Sequence, residues 1–141
     1  MSFIDLRPYF EARMKTVDQD LREWPDAFNI ENIPSGILDK SWHVEFGPFN
    51  YTGTAHTCLH FDCPVRLQVF IKGYREPKEA VDSALKFADA IVKECCKLSN
   101  RLNQATIKNV LPNLIDIRKL TQGNDNCAVL ELTFDCEIVI C

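Results

Sequence analysis

The chain has 141 residues, 46% of them hydrophobic and 26% charged, with five Gly and seven Pro, a makeup that excludes intrinsic disorder and collagen-like repeats. A chain of this length buries roughly 68 to 70% of the surface its unfolded form exposes, so residues 1–141 are expected to fold as one domain around one core. Sixteen Lys and Arg against 20 Asp and Glu give a formal charge of -4, which leaves no basic field to hold nucleic acid by its phosphates.

No run reaches the ~20 consecutive apolar residues of a membrane helix. The opening Met-Ser-Phe-Ile-Asp-Leu-Arg lacks the charged-then-apolar order of a signal peptide, so a cytosolic protein is expected. The seven Cys are odd in number and repeat no framework spacing, which predicts reduced thiols.

From Phe3 to Trp24 the apolar residues Phe3, Leu6, Phe10, Met14, Val17, Leu21 and Trp24 step by three or four, the spacing of one helical face. Asp5 is the expected N-cap, with Pro8 in the first turn, and Pro25 is the expected stop. The stretch Asp26 to Asp39, with Pro34, Ser35 and Gly36, reads as an ordered loop. Trp42, Val44 and Phe46 then alternate with Ser41, His43 and Glu45, as in a strand covered on one face. Phe49 to Ala55 reads as the tip of a long hairpin, turning at Asn50 or Gly53.

Leu59, Phe61, Cys63, Val65, Leu67, Val69 and Ile71 all fall on odd positions, so this strand buries one face, and Pro64 within it predicts an edge or a bulge. Pro77 opens a second amphipathic helix of about six turns. Its expected inner face is Val81, Leu85, Ala88, Ile91 or Val92, Cys95 and Leu98. Asn100 to Pro112 reads as a connector, Leu114 to Leu120 as a strand, and Gly123 to Asn126 as a turn. Ala128, Leu130, Leu132, Phe134, Cys136, Ile138 and Ile140 form the inner face of the last strand, opposite Glu131, Asp135 and Glu137. The pattern predicts an α+β, two-layer sandwich, an antiparallel sheet of about four strands covered by two helices, with a long projecting hairpin.

His56, Cys58 and His60 share one face of a strand, with Asp62 next along it, and zinc accepts such ligands. Same-face residues lie ~6.5 to 7 Å apart, so one ion reaches only two of them comfortably and no metal or other cofactor is expected. Cys63, Cys95 and Cys136 fall on core faces, where Cys packs as a small hydrophobe. The acidic row Glu131, Asp135 and Glu137 reads as a solvated face. No phosphate loop, nucleophile elbow or zinc-protease motif occurs in the sequence, so no enzyme is expected.

Aromatic residues gather around the first hairpin: Trp42, Phe46, Phe49, Tyr51 and Phe70. Phe70 even falls on its outward register. Such a surplus points to a surface that meets another subunit or partner.

The helix closing at Trp24-Pro25, the loop through Asn32-Ile33-Pro34, the hairpin ending in the run from Leu59 to Phe70, the helix Glu76 to Leu98 and the final strand Ala128 to Ile140 together resemble the tail terminator, or tail completion, proteins of long-tailed bacteriophages. The resemblance spans nearly the whole chain through element order and strand pattern, without a short diagnostic motif. It implies a structural virion protein, assembled in the host cytoplasm as a ring, commonly a hexamer, that caps the tail tube and offers a docking surface to the head connector. DNA would pass through the lumen without specific binding, since Asp and Glu repel phosphate. The Cys count and the Asn100 to Pro112 connector depart from the family pattern. Three other readings stand beside it: a neck adaptor between portal and tail, a small cytosolic metal-binding α+β protein using the His56, Cys58 and His60 row, and a cytosolic adaptor that binds peptide along a sheet edge.

Overall fold

The computed structural model describes residues 3–25, 38–74, 76–97, 107–122 and 125–141. A 3-10 turn, Phe3–Asp5, leads into helix α1, Leu6–Val17. Strands β1 (Arg22–Glu23), β2 (Ser41–Phe46), β3 (Asn50–Ala55) and β4 (Cys58–Tyr74) follow, then helix α2 (Pro77–Cys95) and strands β5 (Ile107–Gln122) and β6 (Asp125–Ile140). The strands form one sheet in the order β1-β2-β4-β6-β5, with β3 also paired to β4. Among the described strands only the β1–β2 pair is parallel. The fold is the expected α+β arrangement of helices on a mostly antiparallel sheet, enlarged from about four strands to six.

The odd residues of β4 and the even residues of β6 make the inner face, with Val65, Leu67, Val69, Leu130, Leu132 and Phe134 fully buried. They meet directly in register, Val65 opposite Phe134 and Leu67 opposite Leu132. From α1, Phe10 reaches this layer and stacks against Phe46 and Phe134, ring centroids 6.1 Å away in each case. Alternation and helical spacing thus point the same side chains into one core.

Helix α1 is shorter than its apolar spacing predicts. The Asp18 N–H donates to the Met14 carbonyl at 3.1 Å, but the Asp18 carboxylate accepts the Asp20 N–H at 2.8 Å and so offers the backbone a turn in place of another helical step. Leu21 and Trp24 therefore lie beyond the helix, where the Trp24 N–H donates to the Trp42 carbonyl at 2.6 Å. Asp5, the expected N-cap, sits in the α region inside the 3-10 turn and makes no side-chain cap bond. The expected loop lies largely outside the described residues.

The expected hairpin tip, Phe49 to Ala55, is instead mostly strand β3, and the chain reverses at His56 and Thr57, with φ of 51° and 65°. Two consecutive left-handed residues are what a two-residue hairpin turn with the right twist requires. Pro64 lies not in a bulge but in a gap on one side of the strand, a local edge. The Gly47 N–H donates to its carbonyl at 3.1 Å, so the side of Pro64 that lacks an N–H faces Gly47-Pro48, where β2 has ended and β3 has not begun. Its other side pairs with Asp135 of β6.

Helix α2 is turned about one residue from the expected face. Ala80, Ala84, Ala88, Ile91 and Cys95 are buried, while Leu85 is 52% exposed. Small side chains let the helix lie close to the sheet and to α1, a preference that hydrophobic size alone does not reveal. Leu98 and residues 98–106 lie outside the described residues, as do 123–124 of the expected turn. The end of the expected connector, from Ile107 to Pro112, is already β5, with register shifts beside Lys108 and Asn113.

Two cysteines depart from the expected reduced state: Cys58 and Cys141 form a disulfide. Cys63, Cys95, Cys127 and Cys136 are free and buried, and Cys96 is free and half-buried.

Candidate functional site

After β2 the chain turns through a cis Gly47–Pro48 peptide, with Gly47 at φ 104°, a conformation open to glycine at little cost. It then runs back along β4, pairing from Asn50 opposite Asp62 to Ala55 opposite Cys58, with one irregularity at Thr52. This β3–β4 hairpin is an arm. Its first half of β4 is held from the other side by the end of β6, with Leu59 opposite Ile140 and Phe61 opposite Ile138.

Tyr51 and Phe61 are cross-strand partners, their ring centroids 5.9 Å apart. The 3-10 turn ahead of α1 lays Phe3 against the same surface, 4.6 Å from Phe49 and 5.2 Å from Phe61. The helices stop short of this region, so the cluster remains open to solvent. Tyr51 is 59% and Ile4 79% exposed, and Phe3, Phe49 and Leu59 are also exposed. An apolar surface of linked aromatic rings at a sheet edge is the composition of a protein interface.

The five aromatics expected at an interface separate in the structure. Phe49 and Tyr51 are on the open cluster. Phe46 is half-buried, with the Arg7 guanidinium 5.6 Å from its ring centre. Trp42 is buried in the main core and Phe70 is fully buried on the outer face with Cys127, Val129 and Trp24. Phe70 has the outward register the sequence predicts, but the outer face is covered there. Sequence reasoning missed Phe3, Ile4 and Leu59: the first and last were read as inner-face residues, and Ile4 lies off the helical stripe. A run of two exposed apolar residues before Asp5 is the signal that was present.

The opposite edge of the sheet is β5, where Leu111, Leu114 and Ile115 are exposed. One sheet therefore carries apolar side chains at both of its long edges, and the two sets differ in sequence and shape.

The outer face of the sheet is acidic. Asp62 and Glu137 stand directly opposite each other, a like-charge pairing that is unfavourable unless polar neighbours absorb it. Glu137 accepts a hydrogen bond from Asn109 Nδ2 at 2.9 Å and lies 3.6 Å from His60 Nδ1. Asp135 accepts from Asn113 Nδ2 at 3.4 Å, and Glu131 from Gln68 Nε2 at 3.0 Å. Arg66 Nε is 3.9 Å from Glu45.

The His56, Cys58 and His60 row is broken by the disulfide, which removes the Cys58 thiolate from it. Among the described residues no group of three metal-binding side chains is assembled. Burial pushes the Cys63, Cys95 and Cys136 thiols up from their ordinary range, which keeps them neutral and poorly nucleophilic.

No family model matches the chain, and no curated protein matches it. Among solved structures it is similar to a chain of the virion of a native gene transfer agent (GTA) particle, at 12% sequence identity and a TM-score of 0.53, over 96% of this chain and 95% of that one. The two share a fold along almost their full lengths.

Proposed function

We propose that the chain is a structural virion protein that assembles as a ring, a hexamer by the resemblance to tail terminators, capping the tail tube and presenting a surface to the head connector. The observation that carries this reading is the fold shared with a chain of a gene transfer agent virion over 96% of the length. A ring closed by rotation needs two different, mutually fitting patches on each subunit. The arm cluster of Phe3, Ile4, Phe49, Tyr51 and Leu59 on one edge and Leu111, Leu114 and Ile115 on the other supply such a pair. Trp42 and Phe70 are buried at the other end of β4 from the arm and stand outside both patches.

The acidic outer face, with Glu45, Asp62, Glu131, Asp135 and Glu137, is our candidate for the lumen wall, where it keeps DNA from sticking as it passes. Neither role calls for a catalytic residue or a cofactor.

Size exclusion with light scattering of the full chain, alone and with tail tube protein, tests the reading. A closed oligomer is expected, and a Phe49→Asp, Tyr51→Glu double variant is expected to remain folded and monomeric. Monomers at every concentration, with tube protein present, overturn it.

A further inference from the structure

We propose that the Cys58–Cys141 disulfide is a reversible clasp on the arm, open in a reducing cytosol and closed by a small disulfide oxidant, such as oxidised glutathione, once the protein leaves it. The bond joins residues 83 apart in sequence, the first residue of β4 to the residue just after β6. It therefore ties the tip of the hairpin to the end of the neighbouring strand, at the one corner of the sheet where β3, β4 and β6 all stop.

That corner has reason to open. His56 and Thr57 both take left-handed backbone conformations, which residues other than glycine avoid and β-branched ones avoid most. Thr57 Oγ1 donates to the His56 carbonyl, so the turn is held by its own side chain as well as by the clasp. β3 is exposed along nearly all its length, and segments with few buried contacts open at low cost. Without the cross-link the described contacts of the arm are its ladder of hydrogen bonds, the Thr57 side-chain bond and the exposed rings of Phe49 and Tyr51.

Position also makes the reaction selective. Cys63, Cys95, Cys127 and Cys136 are buried and Cys96 is half-buried, whereas Cys141 is exposed and already stands within bonding distance of half-buried Cys58. One of the pair, as thiolate, attacks a sulfur of oxidised glutathione and expels one glutathione. The second thiolate attacks the mixed disulfide and expels the other. Two thiols are oxidised, one glutathione disulfide is reduced to two glutathiones, and the two thiol protons end on the products.

The effect on the arm stands on the subunit alone, and its consequence for ring assembly rests on the reading above. Closing the clasp fixes Tyr51 and Leu59 in place before they meet a neighbour, which lowers the ordering cost of that contact.

The test uses the full chain in buffers of reduced or oxidised glutathione, with alkylation mapped by mass spectrometry and amide exchange followed along 50–60. In reduced buffer, Cys58 and Cys141 are expected to alkylate while the four buried cysteines stay protected, and arm amides to exchange about tenfold faster. Oxidised glutathione is expected to restore slow exchange, and Cys58→Ser and Cys141→Ser variants to exchange fast in both buffers. Unchanged arm exchange between buffers overturns the proposal, as does alkylation of the buried cysteines in step with Cys58. A chain that is monomeric throughout, yet whose arm exchange still switches, supports the clasp and removes the ring.

Discussion

The Tyr9 phenol of α1 donates a hydrogen bond to the backbone carbonyl of Cys95, the last residue of α2, at 2.7 Å. The carbonyls of a helix's final turn have no partner within the helix, and this one is buried, so the phenol satisfies it while fixing the two helices against each other. Arg13 lies over the same ring at 5.4 Å and 3.9 Å from Glu94. Tyr9→Phe keeps the packing and removes the donor. The expected loss is about 1 to 2 kcal/mol of stability, the cost of a buried acceptor left unpaired, read as a lower urea midpoint with an unchanged slope. Desolvation by burial also raises the phenol's pKa. A raised folded value means the contribution is complete below the unfolded phenol value and fades only as pH rises through the folded one.

Leu67 and Arg66 are neighbours in β4 that face opposite ways. Leu67 is fully buried opposite Leu132, whereas the Arg66 side chain is 56% exposed. Leu67→Asp places an unpaired charge in the core, at a cost of about 3 to 5 kcal/mol, a large part of a domain's stability. It is expected to be unfolded or insoluble, while Arg66→Gln is expected to melt within a few degrees of the parent. Circular dichroism of the two proteins checks the face assignment, and a well-folded Leu67→Asp protein reverses it.

Strict alternation made β2, β4 and β6 legible, because a period of two with Val, Leu, Phe and Ile on one parity has few other solutions. Three features escaped the pattern for separate physical reasons. The end of α1 is set by the Asp18 carboxylate taking the Asp20 N–H, while Leu21 and Trp24 keep the helical spacing and mislead. The turn at His56 and Thr57 uses left-handed residues without the Asn or Gly that usually announces them. Helix α2 buries Ala80, Ala84 and Ala88, which carry little hydrophobic signal although they decide how closely the helix packs.

The candidate site was half legible for a related reason. Phe49 and Tyr51 are exposed as expected, but Phe70 is enclosed by Trp24, Cys127 and Val129 on the outer face. A strand's parity tells which face a side chain takes and not whether another segment covers that face. Phe3 joins the open cluster through a 3-10 turn that reads in sequence as the start of α1. The disulfide was invisible because the pairing of Cys58 with Cys141 depends on the β4–β6 register, which brings Leu59 opposite Ile140.

Lys40 Nζ lies 3.0 Å from Asp18 Oδ2 and 3.8 Å from Asp20, joining the end of α1 to the turn before β2. The Asp20 backbone N–H and Lys40 together hold the Asp18 carboxyl below its usual range, and Asp18 in turn raises Lys40. For Asp18 the folded value is depressed, so its contribution is complete above the unfolded value of about 3.9 and is lost as pH falls through the folded one. For Lys40 the folded value is raised, so its share is complete below the unfolded value and lost only in strong base. Both side chains are partly solvated, which limits the pair to roughly 0.5 to 1 kcal/mol. Asp18→Asn is therefore expected to lower the urea midpoint slightly at neutral pH, with the gap from the parent narrowing in added salt and closing as pH falls through the depressed folded value. A gap that persists in acid would assign the effect to the turn geometry of the Asp18 side chain and not to its charge.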